Sequence, residues 1–298
     1  MSKLVLIGGG SGFVGKQLAS DLSKVGYSVK IISRQRRDGK SVTWNDIKTN
    51  GLPSGTTAVV NLAGELVLNP LKRWGDRFEK DLRDSRVGTN NLLRDAIISA
   101  ETKPEFWGQI SGVGYYPPSA TNSYDEDSAP DACDYWNKFT HDWELAGELP
   151  DSCSDVRRVI IRSGVVLGKT GGALPQMKPA FFLGVGGPIG SGNQWFPWIH
   201  IKDLCGIFVH ALENKDVHGV LNGVAPHAVT NRNFSRAYAS ALWRPSFFIL
   251  PGFVVRFMFG DIRATMLLEG QLVTPKRTVE SGFSFKYASI EEALKTCV

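Results

Sequence analysis

The chain has 298 residues, 42% of them hydrophobic, a formal net charge of +5 and four cysteines. That length and hydrophobic content predict one large α/β domain, or one domain with an appendage. Basic residues are dispersed except between Lys30 and Lys40, which argues against a nucleic-acid-binding protein and favours a small anionic ligand. The cysteines form no C-x-x-C motif, so we expect neither a zinc site nor a disulfide framework. We therefore expect a reducing intracellular compartment, the cytoplasm or the mitochondrial matrix.

The most apolar segment covers residues 247–260 and is interrupted by Pro251 and Arg256. It falls short of the roughly 20 residues that a membrane span requires. We expect a soluble protein with no membrane partner. The first predicted strand begins near residue 3, which leaves no room for a cleavable signal before the fold. The five histidines form no H-x-x-x-H pair, and no metal site is expected.

The first thirty residues predict a strand, a glycine-rich turn, a helix and a second strand. Gly9, Gly12 and Gly15 fit the spacing G-x-x-G-x-x-G, and with Gly10 in place of Gly9 they fit G-x-G-x-x-G. Such a turn lets a pyrophosphate approach the backbone, and the amides at the helix start hold the anion. The predicted contacts lie at Gly9, Ser11, Gly12, Phe13, Val14 and Gly15. The alternative is a glycine-rich turn without a ligand.

The end of the second strand determines which nucleotide is expected. NAD-binding folds place an acidic residue there, to bind the ribose 2′-hydroxyl. Here the strand ends in Ser33 and Arg34, with Arg36 and Arg37 close behind and no acid before Asp38. A guanidinium binds a 2′-phosphate through charge-assisted hydrogen bonds. This predicts NADP at Ser33 and Arg34; the alternative is a solvated basic loop.

Further strands are predicted at 57–62, 106–111 and 156–162, with helices at 76–100 and 136–147. This alternation predicts an α/β, Rossmann-like fold with a doubly wound parallel sheet and right-handed crossovers. Beyond about residue 165 the alternation loosens. We expect an NADP-binding domain over 1–165 and a smaller substrate-side lobe over 166–298, with strands that return to the main sheet. The glycine-rich stretch 168–194 is interpreted as a lid or crossover loop.

Six segments occur in the order seen in extended and atypical short-chain dehydrogenases/reductases. They are GGGSGFVG at 8–15, VVNLAG at 59–64, VGTNNLL at 87–93, ISGVGYY at 110–116, IIRSGVVLG at 160–168 and WIHIKDL at 198–204. The chain resembles this superfamily, and its epimerase-family members in particular, over essentially its whole length. The resemblance implies a Rossmann domain that holds NADP and a C-terminal segment that closes over a substrate cleft. It also implies cofactor contacts at Leu62, Ala63, Gly64, Asp81, Arg86 and Val166. The alternatives are strand core for Leu62 and Ala63, and a surface helix position for Arg86.

The chain departs from the superfamily on the helix that normally carries catalysis. Active members use Tyr-x-x-x-Lys, whose two side chains share one helix face. Here Tyr135 is followed four residues later by Phe139, and the other register pairs Trp136 with Thr140. Lys138 stands three residues after Tyr135, and we predict that it points away from the cofactor.

Two residues at and just beyond the end of the predicted strand at 106–111 remain as candidate catalytic groups. Ser111 ends that strand, where ligands bind in such sheets, and Tyr116 follows it closely. The alternative for Tyr116 is a packing aromatic whose hydroxyl is satisfied by backbone. Arg162 is expected to be an ion-pair partner or a ligand contact, and Asp203 to cap a helix near Leu204.

Two functions fit these features. The first is an NADP-dependent oxidoreductase or epimerase that acts on a small carbonyl or sugar-like substrate. The alternative is a non-catalytic NADP-binding sensor or assembly protein, which the missing Tyr-x-x-x-Lys pair favours. The sequence predicts neither a particular small-molecule substrate nor an oligomeric state.

Overall fold

A computed structural model describes residues 3–35, 41–69, 71–129 and 133–298 of the chain. Within these residues the strands are β1 (Leu4–Gly8), β2 (Ser28–Ser33), β3 (Ser41–Thr43), β4 (Thr56–Asn61), β5 (Phe106–Gly112), β6 (Ser123–Tyr124), β7 (Arg157–Ser163), β8 (Val165–Gly168), β9 (Gly171–Gly172), β10 (Trp195–Phe196), β11 (Trp198–His200), β12 (Gly219–Gly223), β13 (Val229–Thr230) and β14 (Leu272–Val273). The helices are α1 (Phe13–Lys24), α2 (Trp44–Asn50), α3 (Asp76–Arg83), α4 (Thr89–Ile98), α5 (Tyr135–Leu145), α6 (Leu174–Phe182), α7 (Ile201–Glu213), α8 (Asn231–Ala241), α9 (Gly252–Phe259), α10 (Asp261–Leu268), α11 (Lys276–Glu280) and α12 (Ile290–Lys295).

Seven strands form one parallel sheet in the order β3-β2-β1-β4-β5-β7-β12. Alternate residues of β1 pack on opposite faces, because successive side chains of a strand point to opposite sides. Val5 and Ile7 join α1 and α7 in one core, whereas Leu6 packs with residues of α2 and α4 in another. Helices therefore cover both faces, and the predicted α/β, Rossmann-like, doubly wound fold is confirmed.

The helix predicted over 76–100 is interrupted in the structure. Between α3 and α4 the chain makes a π-turn over Asp84–Gly88, which adds one residue to the helical turn. Hydrophobic periodicity alone predicted one continuous helix, because the helical pattern resumes directly after this turn.

The glycine-rich stretch 168–194 contains more regular structure than the predicted loop. It includes β9 and the nine-residue helix α6, which buries Leu174 and Phe181 in a third core with α8 and α12. The glycines flank this helix, and that is why the composition suggested a loop.

The C-terminal part of the chain is tied to the main sheet. Strand β12 pairs with β7 from Gly219 to Gly223. The Glu126 carboxylate, buried near β6, accepts hydrogen bonds from the backbone N–H groups of Asn222, Arg277 and Thr278. The division into 1–165 and 166–298 stays a prediction.

Helix α7 begins at Ile201 and its N-cap is His200, so the expected cap at Asp203 is wrong. The buried Asp203 carboxylate accepts instead from the N–H groups of Lys286 and Tyr287, each at 2.9 Å. Asp203 was expected to be the cap because the helix was predicted to begin near Leu204, three residues after its actual start. Within the described ranges, no helix is both long and apolar enough to cross a membrane.

Candidate cofactor site and the polar network beside it

The glycine turn after β1 lets a ligand come close to its backbone. Gly9 has a φ of +72°, and its carbonyl accepts from the Gly12 N–H at 2.9 Å. A Cβ on Gly15 would lie 2.4 Å from the Gly9 carbonyl oxygen. Helix α1 begins at Phe13, and no side chain caps its first amides. Such amides bind anions readily. The glycine turn and these amides together, which we call the glycine cradle, fit the pyrophosphate of a dinucleotide.

The end of β2 lies beside this turn. Ile32 pairs with Gly8, and a Cβ on Gly10 would touch the Ile31 side chain. Ser33 is buried and its hydroxyl donates to the Gln35 carbonyl, whereas Arg34 is exposed. The structure thus brings Ser33 and Arg34 next to the glycine turn. Arg36, Arg37 and Asp38 lie outside the described residues.

The turn after β4 meets the glycine turn. A Cβ on Gly9 would lie 2.8 Å from the Ala63 Cα, so the backbone of Leu62 and Ala63 passes close to it, and Gly64 follows directly. Asn61 holds this turn: its side-chain oxygen accepts from the Ala63 N–H at 3.1 Å. Its amide donates to the Asn90 side chain at 2.7 Å. Sequence reasoning missed Asn61, although a polar residue that ends a buried apolar strand could have indicated it.

Arg86 lies in the π-turn between α3 and α4 and faces the loop after β4. Its Nη2 donates to the Glu65 carbonyl at 2.9 Å, and its guanidinium lies 5.1 Å from the Trp143 ring. A Cβ on Gly64 would sit 3.1 Å from the same guanidinium. Burial lowers the pKa of Arg86 to about 10. These contacts place a partly desolvated cation beside Leu62–Gly64, with donors left for a phosphate.

Asp81 is exposed on α3 and is linked to the same loop indirectly. Its carboxylate lies 3.6 Å from the Lys72 Nζ, which bonds Glu65 at 3.0 Å. Among the described residues, Asp81 is therefore linked to Arg86 only through Lys72 and Glu65.

Val166 reaches the site from the opposite side. It lies on β8, and both Val166 and Phe13 pack against the same hydrophobic core. A Cβ on Gly171 would touch the Phe13 ring, so the β8–β9 hairpin covers the start of α1. The structure thus brings Val166 to the helix end that carries the free amides.

Ser111 belongs to a buried polar network at the end of β5. Its hydroxyl donates to the Glu144 carboxylate at 2.7 Å. Arg162 binds the two oxygens of the same carboxylate through Nε at 2.8 Å and Nη2 at 2.9 Å. Burial alone would lower the pKa of Arg162, but the Glu144 pair outweighs it and the pKa is raised. Arg162 is thus an ion-pair partner, and Glu144 was missed by sequence reasoning.

Tyr116 is fully buried in the same network. Its hydroxyl donates to the Asn222 side chain at 2.9 Å and accepts from Arg162 at 3.0 Å. Burial raises the pKa of Tyr116 to about 12. Direct proton donation by Tyr116 to a substrate is not supported by this geometry, because the hydroxyl has both partners and no solvent contact. It matches the packing alternative, except that the partners are side chains rather than backbone.

Helix α5 is a regular α-helix and supplies no Tyr-x-x-x-Lys pair. Lys138 is exposed, whereas Trp136 and Thr140 are buried. The Tyr135 hydroxyl is buried next to Glu79 without reaching hydrogen-bond geometry, and burial raises its pKa.

These features define a dinucleotide-binding protein with a doubly wound sheet, a glycine cradle and two cationic side chains, Arg34 and Arg86, near the cradle. Residues 5–222 match the model of the NAD dependent epimerase/dehydratase family, and the chain belongs to this family. Residues 250–297 match a domain of unknown function (DUF1731). In the described parts of the chain, His, Cys, Asp and Glu form no group of three or more that could hold a metal ion.

Individual relatives are similar over the full length. The epimerase family protein SDR39U1 of Homo sapiens is 48% identical over 99% of this chain and 99% of the human protein. The chloroplastic SDR39U1 homolog of Arabidopsis thaliana is 37% identical over 98% of this chain and 85% of its own length. A crystal structure of the human protein with NADPH superposes with a TM-score of 0.96, covering 99% of this chain and 98% of that one.

Proposed function

We propose that the protein is an NADP-dependent oxidoreductase or epimerase for a small carbonyl or sugar-like substrate. The glycine cradle is the observation that carries the cofactor assignment, since a Cβ at Gly9 or Gly15 would collide with backbone. The human relative solved with NADPH supports the same assignment.

Each cofactor contact has a distinct proposed role. The amides at the start of α1 would bind the pyrophosphate, and Arg34 the 2′-phosphate. Arg86 would bind a phosphate oxygen from the side of the loop after β4. When bound, NADP(H) would supply the hydride chemistry, and the protein would position the substrate and exclude water.

Calorimetric titration with NADPH and NADH tests the cofactor proposal. We expect NADPH to bind about ten- to hundredfold more tightly than NADH, and Arg34→Ala to remove most of this difference. Arg236→Ala, an exposed arginine on α8, is the matched control and should bind both nucleotides as the wild type does. Equal affinities of the wild type for the two nucleotides would refute the proposal.

Ser111 and Tyr116 carry the catalytic part of the proposal, and we assign them different roles. Ser111 lies at the C-terminal end of β5, next to its last residue, where a substrate carbonyl would sit. Tyr116 would position Arg162 and Asn222 rather than touch substrate. NADPH turnover with a panel of carbonyl compounds should fall in Ser111→Ala. Lys138→Met, which changes an exposed position on α5, should keep both turnover and NADPH affinity.

A non-catalytic NADP-binding module is the second candidate, and one observation favours it. The Ser111 hydroxyl donates to Glu144, and Tyr116 is enclosed, so neither is a free proton donor in this conformation. Tight NADPH binding without turnover on any carbonyl of the panel would favour this second function.

A further inference from the structure

A large apolar surface lies on the C-terminal part of the molecule, which we call the apolar face. Its exposed side chains come from two segments: Phe182, Leu183 and Val185 from the first, and Trp243, Phe247, Phe248, Ile249, Phe253, Phe257 and Met258 from the second. Trp243 and Phe257 are 90% and 92% exposed. Contiguous exposed apolar surface of this kind marks an interaction site.

The two segments pack side by side and form one surface. The Arg244 Nε donates to the Phe182 carbonyl at 2.9 Å, and its guanidinium lies 4.9 Å from the Phe182 ring. The Leu250 N–H donates to the Pro188 carbonyl at 2.9 Å. The segment 243–250 is thereby held along 182–189 and leads directly into α9.

Helix α9 is apolar on both sides. Val255 is fully buried and faces the protein, whereas Phe253 and Phe257, one helical turn apart, face outward and are 74% and 92% exposed. A helix at a water-exposed surface normally carries polar residues on its outer face. The outer face of α9 therefore fits an apolar environment.

The sequence segments that form the apolar face contain basic residues and no acidic ones. The sequence has no Asp or Glu between Asp155 and Asp203, or between Asp216 and Asp261. The exposed cations Lys178, Arg244 and Arg256 belong to these segments, and the next acid along the sequence, Asp261, pairs with Arg256 at 3.0 Å. Two copies of this surface would bring like charges together, which disfavours self-association through it. Aromatic side chains beside cations match the interface of an anionic lipid bilayer.

We propose that the apolar face docks the protein on the surface of a membrane that contains anionic lipids. Phe253, Phe257 and their neighbours would enter the headgroup region, while Lys178 and Arg256 contact lipid phosphates. The chain would lie on the bilayer without crossing it. This departs from the sequence expectation of no membrane partner, which rested on the lack of a spanning segment.

Co-sedimentation of the full chain with vesicles tests the proposal. Vesicles of an equal mixture of phosphatidylcholine and phosphatidylglycerol should bind the protein, and added salt should weaken binding. The double variant Phe253→Ser/Phe257→Ser should lower the partition coefficient about 100-fold, since each buried phenylalanine contributes roughly tenfold. Lys178→Gln/Arg256→Gln should lower it roughly tenfold or more.

Val25→Ser/Val279→Ser is the matched control, because both valines are about half exposed and lie outside the apolar face. This control should bind vesicles as the wild type does, and all variants should keep the wild-type thermal midpoint. Equal binding to vesicles of phosphatidylcholine alone, or no binding to either vesicle, would overturn the proposal. A dimer in sedimentation equilibrium that Phe253→Ser/Phe257→Ser dissociates would assign the face to a second copy instead.

Discussion

At the residue scale, the buried Glu144–Arg162 pair joins β5 and β7 to α5. Both side chains are buried, and each bonds a further hydroxyl, Ser111 or Tyr116. Removing one partner of such a pair leaves an uncompensated charge in a poorly solvated site. Single substitutions in this pair should therefore lower the stability of the protein.

Glu144→Leu should lower the free energy of unfolding by about 3–5 kcal/mol, because the Arg162 guanidinium loses its carboxylate. The double variant Glu144→Leu/Arg162→Met should recover part of that loss. Urea unfolding measures both. Asp142→Asn, which removes an exposed ion pair of 2.8 Å with Arg83 near the same helix, is the control and should change stability by less than about 1 kcal/mol. A similar loss in both single variants would contradict the prediction.

At the element scale, the glycine turn and α1 act as one unit. Gly15→Ala should destabilise the protein by about 1–3 kcal/mol, because the added Cβ meets the backbone of Gly9 and Gly10. It should also abolish NADPH binding at concentrations that saturate the wild type. Gly88→Ala is the control, because Gly88 has a helical φ of −61° and its added Cβ would come no closer than 3.9 Å to another atom, so this variant should not destabilise the protein. Thermal unfolding and NADPH titration of both variants check this.

Protonation of His200, the N-cap of α7, makes the stability of the protein depend on pH. The His200 Nδ1 accepts from the Lys202 N–H at 3.2 Å, and its Nε2 faces Thr296. Burial, with the charges of Lys202 and Lys286, lowers the pKa of His200 to about 4. The unfolded chain, with a histidine pKa near 6.5, binds the proton first, so stability is lost as pH falls from about 6.5 towards 4.

Between pH 7 and pH 5 this loss should reach about 2 kcal/mol, and it should be absent from His200→Asn, because asparagine keeps an N-cap acceptor and does not titrate. Urea midpoints at pH 7 and pH 5 measure it. His218→Asn, at an exposed histidine, should keep the wild-type pH dependence. If His200→Asn kept the wild-type dependence of stability on pH, the effect would belong to other groups.

At the scale of the whole molecule, the sheet connects the two predicted domains. Strand β12 pairs with β7 along its full length, from Gly219 with Val159 to Gly223 with Ser163. Amides of Leu221 and Val59 should therefore exchange with opening free energies within about 1 kcal/mol of each other. Native-state hydrogen exchange measures this. Much faster exchange in β12 than in β4 would indicate two separate cooperative units.

The sequence predicted what depends on local patterns. The glycine spacing predicted the turn before α1, and the strand–helix alternation predicted the sheet. The Asn61–Asn90 and Glu144–Arg162 contacts join residues that lie far apart in the chain, so no local spacing indicates them. The π-turn at Arg86 was missed because it leaves the hydrophobic pattern on either side unchanged.

The Glu126 contacts also set an order of assembly during synthesis. All three backbone donors to this carboxylate belong to residues 222–278, so they leave the ribosome long after Glu126 itself. At about 5–20 residues per second, a nascent chain waits roughly 5–20 s before the first of these donors, Asn222 in β12, is made. During that interval the edge of β7 lacks its β12 partner and is open to other strands. Nascent chains halted before residue 219 should therefore aggregate or recruit chaperones more readily than chains released after residue 278.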